Sequence, residues 1–177
     1  ASSDISETSF EDIDYKDILV SNEEMEEAKE LDTSLLDEEN IAYEFIDERE
    51  FKTNPAVGRE KEIRVLGATL SSPSYSSILI GEPGIGKTAI IEGLGFRIQN
   101  GTVGNNLKNK KIIKINPSNI VSDTRFTGTF EKKMENILKF LKENPDIILY
   151  IDELHTAKGA GAHSKSDTDM LQILKPH

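Results

Sequence analysis

The sequence predicts a three-layer α/β domain built around a parallel sheet, and two observations support this fold class. Short apolar runs rich in isoleucine alternate along the chain with longer segments in which apolar residues recur at helical spacing. A glycine-rich loop at residues 81–88 also separates one such run from one such segment. Strands that alternate with helices are typical of a parallel sheet covered by helices on both faces.

The elements predicted before the loop are a turn, a helix and a strand. Residues 54–59 contain a proline and small apolar residues, which indicate a turn. A helix is predicted over residues 60–70, where the apolar positions are Ile63, Leu66, Ala68 and Leu70. Residues 77–80 are predicted to form a short buried strand that leads into the glycine loop.

Four elements are predicted after the loop begins. An amphipathic helix covers residues 87–98, and a strand covers residues 111–116 up to Pro117. A second helix ends at residues 144–145, and its apolar stripe consists of Phe130, Met134, Ile137, Leu138 and Leu141. Residues 147–151 are all apolar and β-prone, so we expect a fully buried parallel strand there.

The glycine loop matches the pattern G-x-x-x-x-G-K-[ST], which binds the phosphates of a nucleoside triphosphate. Glycines allow backbone N–H groups at a helix N-terminus to approach phosphate oxygens closely. Lys87 supplies positive charge for the β and γ phosphates, and the Thr88 hydroxyl can ligate Mg²⁺. The loop residues predicted to contact the nucleotide are Glu82, Pro83, Gly84, Ile85, Gly86, Lys87, Thr88 and Ala89. This pattern predicts a P-loop NTPase; a glycine-rich turn that precedes a lysine by chance is the alternative.

Two acids, Asp152 and Glu153, follow the apolar run at residues 147–151. Ligands of open α/β sheets bind at the carboxyl ends of the strands. We therefore expect Asp152 to hold magnesium, directly or through water, and Glu153 to polarise the attacking water. Adjacent acids after a strand are also common in solvated turns. Together with the phosphate loop, however, they predict ATP hydrolysis with ATP and Mg²⁺ as cofactors.

Composition restricts the class of protein. The chain has no cysteine, so it uses neither disulfides nor thiolate metal sites, which suits a reducing compartment. No apolar run approaches the roughly 20 residues that cross a bilayer, so we expect no membrane association. These features predict a cytoplasmic protein, or one of an organelle matrix (plastid or mitochondrion) if a targeting segment was removed.

Charge is distributed unevenly along the chain. Residues 1–50 hold 19 acids and 3 bases, whereas residues 51–177 hold 13 acids and 18 bases. This break predicts a boundary near Phe51, with residues 1–50 as an acidic linker or weakly ordered arm and residues 51–177 as a partial ATPase domain. The acidity of the arm and the net charge of -11 argue against nucleic acid as a partner.

Four blocks of the sequence carry a family resemblance. They are NPAVGREKEI at 54–63, GEPGIGKTAIIEGL at 81–94, RFTGTFE at 125–131, and LYIDELHT at 149–156 with GAG at 159–161. In register, these blocks resemble the first AAA+ ATPase domain of the Clp unfoldases (ClpA, ClpB and ClpC). The resemblance implies a homo-hexamer that threads polypeptides through a central pore, for disaggregation or for delivery to a Clp-type peptidase.

The resemblance also implies roles for individual positions. Val57 and Gly58 would flank the adenine, and Glu153 would be the hydrolytic base. The substrate-gripping pore loop would consist of Phe126, Thr127 and Gly128. Phe126 stands where the family usually has tyrosine, and an aromatic side chain can grip unrelated sequences by apolar contact. A Phe126 packed onto its own core is the alternative.

Parts of the family's ATPase domain are absent from residues 1–177. Family topology implies a further central strand, a sensor residue, an arginine finger and a helical lid, all beyond His177, so we expect the segment alone to be unstable and poorly active. A nucleotide-gated regulatory or adaptor module without its own hydrolysis is the main alternative function. A DNA-handling AAA+ protein is a further one, which the overall acidity opposes.

Overall fold

The predicted helices at 60–70 and 87–98 and the predicted strands at 111–116 and 147–151 are all present, whereas the predicted strand between the first two helices is not. The structure is a computed structural model that describes residues 30–72, 75–121 and 127–152. Its helices and strands are α1 (Ser34–Asp37), β1 (Tyr43–Phe45), α2 (Glu60–Leu70), α3 (Lys87–Gln99), β2 (Lys111–Ile115), α4 (Pro117–Val121), α5 (Thr127–Glu143) and β3 (Ile147–Ile151). Two short 3-10 turns at Ile46–Glu48 and Asn105–Leu107 complete the set of described elements.

The described strands form one mixed sheet in the order β1-β2-β3. Strand β2 pairs in parallel with β3, as predicted, and antiparallel with β1. Side chains alternate between the faces of a strand, and the adjacent residues Ile112 and Ile113 are both buried. Both faces of β2 are therefore covered, as expected for the centre of a layered α/β domain.

The main core lies between β2 and the helices α2 and α3. Its buried members are Ile46, Ala56, Ile63, Leu66, Ile90, Ile91, Leu94, Ile98, Leu107 and Ile112. Gly93 allows the close approach in this core, because a Cβ there would lie 2.6 Å from both the Ala56 Cβ and the Ile63 Cδ1. The turn that leads into α2 is thereby packed directly on the helix that follows the phosphate loop.

The predicted helices agree closely with those observed. Helix α2 has the predicted bounds, and α3 begins at Lys87 as predicted. In α5, Met134 and Ile137 of the predicted stripe are buried, but Phe140, which the stripe omitted, is also buried. None of the helices in the described segments is long and apolar enough to cross a membrane.

The predicted boundary near Phe51 is not where the folded unit begins. The compact unit starts at Thr33, and β1 and the turn after it pack into the domain. Leu36 and Ile46 are fully buried, and the Asp47 carboxylate accepts a 2.7 Å hydrogen bond from the Ile112 amide. Charge composition failed as a guide here because a few apolar side chains are enough to attach an acidic segment to a core.

The acids of this segment are also compensated by nearby bases. The ion pairs that connect it to the rest of the domain are Glu39 with Lys132, Glu48 with Lys111, and Arg49 with Glu92. Residues 1–29 lie outside the described residues, so the prediction of a linker or weakly ordered arm stays a prediction for that part of the chain.

The strand predicted at residues 77–80 is not formed. This segment has no regular secondary structure, and Ile78 and Ile80 are 80% and 92% exposed. The prediction of full burial for β3 is also wrong, since all five of its residues are only partly buried. Within the described residues, β3 pairs with β2 alone. Apolar β-prone residues become a buried strand only when a neighbouring strand satisfies their backbone groups.

Candidate nucleotide-binding site

The glycine loop has the backbone geometry that its sequence predicts. Gly84 and Gly86 have φ values of +78° and +94°, in the left-handed region that side chains other than glycine rarely adopt. Gly86 is also the residue that immediately precedes α3. The first N–H groups of a helix have no partner within it and favour anions. The loop therefore curls at the N-terminus of α3, a position that favours an anion.

Lys87 lies with its ammonium group at the start of this loop. Its Nζ donates hydrogen bonds of 2.8 Å and 3.0 Å to the carbonyl oxygens of Gly81 and Glu82. The hydrogen bonds are solvent-exposed, and they hold the positive charge beside the curl that Gly84 and Gly86 make. A phosphate in the loop would meet both the amides of the helix and this ammonium.

The turn at residues 54–59 is attached to the phosphate loop through Arg59. Its Nη2 donates a 2.6 Å hydrogen bond to the Ile85 carbonyl, and its Nη1 lies 3.1 Å from the Glu62 carboxylate. Val57 is 80% exposed, and Gly58 has a left-handed φ of +81°. The predicted adenine-flanking residues thus lie in an exposed turn that shares a hydrogen bond with the phosphate loop. Arg59 belongs to the block at 54–63 that resembles the Clp unfoldases, but nothing in the sequence indicated its contact with Ile85.

Thr88 and Asp152 are brought together by Tyr150. The Tyr150 hydroxyl hydrogen-bonds both the Thr88 side chain, at the start of α3, and the Asp152 carboxylate, directly after β3. Burial raises the pKa of Tyr150 to about 12, with Asp152 adding to the rise and Thr88 opposing it. The two residues predicted to ligate magnesium therefore both interact with Tyr150, although they lie on different elements.

The residues that could hold Mg²⁺ supply oxygen ligands, but they do not surround the ion with protein ligands alone. Among the described residues, no group of three His, Cys, Asp or Glu side chains is placed to hold a metal ion. Mg²⁺ is usually bound by one or two carboxylates together with substrate phosphates and water. A hydroxyl on Thr88 and a carboxylate on Asp152, beside a phosphate-binding loop, fit this requirement.

Lys114 is a site residue that sequence reasoning missed. Its Nζ lies 3.0 Å from Asp152 Oδ2, and both side chains are largely buried, with exposures of 17% and 22%. The same ammonium lies 5.9 Å from the centre of the Tyr150 ring. A lysine that follows two isoleucines in a strand gave no signal of this role, because only the pairing of β2 with β3 places it beside Asp152.

Four of the predicted site residues are not part of the site described above. Glu153 and Phe126 lie outside the described residues. The backbone of Thr127 and Gly128 forms the first turn of α5 rather than a loop. The roles of these four residues as hydrolytic base and pore loop stay predictions.

Comparison with known proteins identifies the family. Residues 77–176 match the sequence profile of the ATPase family associated with various cellular activities (AAA). Heat shock protein hsp98 of Neurospora crassa is 42% identical over 144 residues, covering 78% of this chain and 16% of that protein. Residues 51–177 are less than three quarters of the chain, so this similarity includes part of the acidic N-terminal third.

Bacterial and plastid relatives are similar to the same extent. Chaperone protein ClpB 2 of Thermosynechococcus vestitus is 43% identical over 130 residues, covering 72% of this chain and 15% of that protein. The chloroplastic chaperone protein ClpC1 of Oryza sativa subsp. japonica is 43% identical over 128 residues, covering 72% of this chain and 14% of that protein. The chain thus spans only about one sixth of the length of these relatives, or slightly less.

Solved structures show the same fold. The Hsp104–ADP complex of S. cerevisiae superposes with a TM-score of 0.61 at 33% identity, over 74% of this chain and 23% of that chain. Hsp104 with ATPγS and FITC casein, in its closed state, gives a TM-score of 0.64 at 36% identity, over 80% and 24% of the two chains. The chain has a P-loop NTPase fold and belongs to the AAA family of nucleotide-binding ATPases, as a Clp-type first AAA domain.

Proposed function

We propose that this chain is the ATP-binding and ATP-hydrolysing module of a Clp-type hexameric protein unfoldase. The observation that carries the proposal is the glycine loop curled at the N-terminus of α3 with the Lys87 ammonium beside it, next to Thr88 and Asp152, which both interact with Tyr150. This arrangement offers phosphate a helix N-terminus and offers a divalent cation two oxygen ligands.

In the proposed site, each residue has a separate task. The amides at the start of α3 and the Lys87 ammonium bind the β and γ phosphates. Thr88 and Asp152 hold Mg²⁺, which when bound neutralises phosphate charge. Glu153 accepts a proton from the attacking water. Val57 and Gly58 contact the adenine, and the remaining loop residues shape the phosphate cradle.

The proposed work of the hydrolysis cycle is to pull polypeptide through a central pore. Structures of the similar Hsp104 include complexes with casein, which supports an unfolded polypeptide as the substrate. We assign the grip to Phe126, with Thr127 and Gly128, and the assembly to a homo-hexamer. The threaded chain is either released, so that it can refold, or passed to a Clp-type peptidase. The net charge of -11 gives no support to nucleic acid as a partner.

The compartment is proposed from the same relatives. They include ClpB proteins of bacteria and ClpC proteins described as chloroplastic. We propose the cytoplasm or an organelle matrix as the place of action, where unfolded chains require an ATP-driven chaperone.

The test is ATP-dependent unfolding of a tagged fluorescent protein by the full-length parent protein. We expect Lys87→Ala to lose nucleotide binding, and Glu153→Gln to bind ATP but neither hydrolyse it nor unfold the substrate. Phe126→Ala should hydrolyse ATP without unfolding the substrate. Normal hydrolysis by Lys87→Ala or Glu153→Gln would overturn the ATPase site. Binding of ATP without hydrolysis by the wild type would instead favour a nucleotide-gated module.

A further inference from the structure

Three charged or polar side chains form a row across the sheet, leading to the magnesium-binding carboxylate. Glu44 of β1 is paired in register with Lys114 of β2, and Lys114 is paired in register with Tyr150 of β3. Residues directly opposite each other on neighbouring strands point to the same face. Lys114 therefore has a neighbour on each side, with the Asp152 carboxylate 3.0 Å from its ammonium.

The ammonium of Lys114 pairs with one of the two oxygens of the carboxylate that is proposed to hold magnesium. A carboxylate oxygen that accepts a charged hydrogen bond must give it up, or share it, when it becomes a metal ligand. The remaining positive charge would also repel an incoming cation at this short distance. Water screens the pair only weakly, since the two side chains are only 17% and 22% exposed. Both effects weaken binding of the cation.

The Glu44 carboxylate is a second anion with which the Lys114 ammonium can pair when it leaves Asp152. Glu44 is the in-register neighbour of Lys114 on β1. Arg49 binds this carboxylate with a hydrogen bond of 2.7 Å from Nη2 and also pairs with Glu92 of α3. The hydrogen bond from Arg49 lowers the pKa of Glu44, and the charge of Lys114 lowers it further. The lysine can thus leave Asp152 without becoming an uncompensated buried charge.

We propose that Lys114 is a built-in competitor of the divalent cation at Asp152, which sets the cation concentration that the nucleotide site requires. This inference rests on the proposed ATP site and adds a form of regulation to it. Without the cation, Lys114 pairs with Asp152 and holds the carboxylate in place. With the cation bound, Lys114 moves towards Glu44. An exchange of this kind connects the cation to β1, in the segment that precedes Phe51.

The test measures cation binding rather than turnover. The full-length parent protein is titrated with Mn²⁺ at a fixed, saturating concentration of ATP, and bound Mn²⁺ is followed by electron paramagnetic resonance. We expect Lys114→Met to lower the half-saturating Mn²⁺ concentration by about three- to tenfold. Lys114→Arg, which keeps the charge, should stay close to the wild type. Lys111→Met is the matched control on the same strand, because Lys111 pairs with Glu48 instead, and it should leave the value unchanged.

A double-mutant cycle keeps the proposal falsifiable if Lys114→Met disturbs packing. In an Asp152→Asn background, Lys114→Met should no longer change the half-saturating Mn²⁺ concentration, because the contested carboxylate is gone. An unchanged or higher Mn²⁺ requirement in Lys114→Met alone would overturn the inference and favour a lysine that only orients Asp152. Failure of the wild type to bind ATP at all would overturn the proposed function instead, so the two failures can be told apart.

Discussion

The Arg59 guanidinium donates a 2.6 Å hydrogen bond to the carbonyl oxygen of Ile85. This bond joins the turn before α2 to the loop that curls around the N-terminus of α3. Ala56 of the same turn packs against the position of Gly93 on α3. The Arg59 side chain therefore connects the phosphate loop to a turn that lies 26 positions earlier in the chain.

Loss of the Arg59 contact should weaken nucleotide binding. Because the Ile85 carbonyl loses its charged donor, Arg59→Ala should raise the Kd for ATP by about three- to tenfold. The measurement is titration of the parent protein with a fluorescent ATP analogue. Arg64→Ala on the exposed side of α2 is the control. Equal Kd values for the two variants would show that the contact does not order the loop.

Gly93 should not tolerate a side chain. A Cβ at this position would lie 2.6 Å from the Ala56 Cβ and the Ile63 Cδ1. The Ile63 side chain can rotate away but the Ala56 methyl cannot, so Gly93→Ala must push α3 away from the turn that contains Ala56. Overpacking of this kind costs about 1–3 kcal/mol, and we expect a lower Tm for the parent protein. Gly104→Ala is the matched control, since no atom lies within 4 Å of its added Cβ. A Tm for Gly93→Ala as high as that of Gly104→Ala would contradict the packing described.

The hydroxyl of Tyr150 should matter for the cation site and for stability at high pH. Tyr150→Phe removes the group that joins Thr88 to Asp152, so ATP hydrolysis should fall several-fold while binding of ATP without cation is retained.

The folded-state pKa of about 12 exceeds the ordinary tyrosine value of 10.0. The wild type should therefore lose stability relative to Tyr150→Phe as pH rises from 10 to 12.

Denaturant unfolding of both proteins across this pH range measures the stability difference between them. A difference that does not change with pH would mean that Tyr150 is not held neutral in the fold. Restoration of normal hydrolysis by Tyr150→Phe at higher Mg²⁺ would localise the defect to the cation site rather than to the packing of β3.

Asp47 should be replaceable by asparagine but not by alanine. Burial raises the pKa of Asp47, and the Ile112 amide opposes that rise. Asn keeps an acceptor for the 2.7 Å bond from Ile112 without a buried charge, so Asp47→Asn should match or exceed the wild type in stability at pH 7. Asp47→Ala leaves a backbone N–H without its partner and should cost about 1–3 kcal/mol.

The pH dependence of this effect follows from the raised pKa of Asp47. The wild type takes up a proton in the folded state first, so it gains stability relative to Asp47→Asn as pH falls through the folded-state pKa, and the gain is complete below the unfolded value of 3.8. Denaturant titrations at pH 7 and at acid pH measure this change. A wild type that is more stable than Asp47→Asn at pH 7 would show that the Ile112 hydrogen bond and the charge of Lys111 outweigh the burial of Asp47.

Much of the site was predictable because its signals are local. The glycines at 84 and 86 predict left-handed backbone, and both adopt it. The start of α3 at Lys87 follows from the same motif, since a phosphate loop ends in a helix. Asp152 at the end of β3 follows from five consecutive apolar residues. Each of these features is fixed by residues within about one turn or strand of each other.

Several features that sequence reasoning missed depend on partners distant in the chain. Lys114 meets Asp152 only because β2 pairs with β3 in one register. Residues 33–50 pack into the domain because a few of their apolar side chains are buried. Their charge had predicted a linker or a weakly ordered arm. Residues 77–80 stay largely exposed because no described strand lies beside them.

The sequence by itself determined the family, the phosphate loop and the identity of the helices, because glycine placement and apolar periodicity act on neighbouring residues. Only the tertiary structure decided which strands pair, which acidic side chains form ion pairs, and that the Lys114 ammonium lies beside Asp152. Strand pairing and burial depend on residues far apart in the chain, whose interactions must favour one fold together, and no short stretch of the chain contains that information.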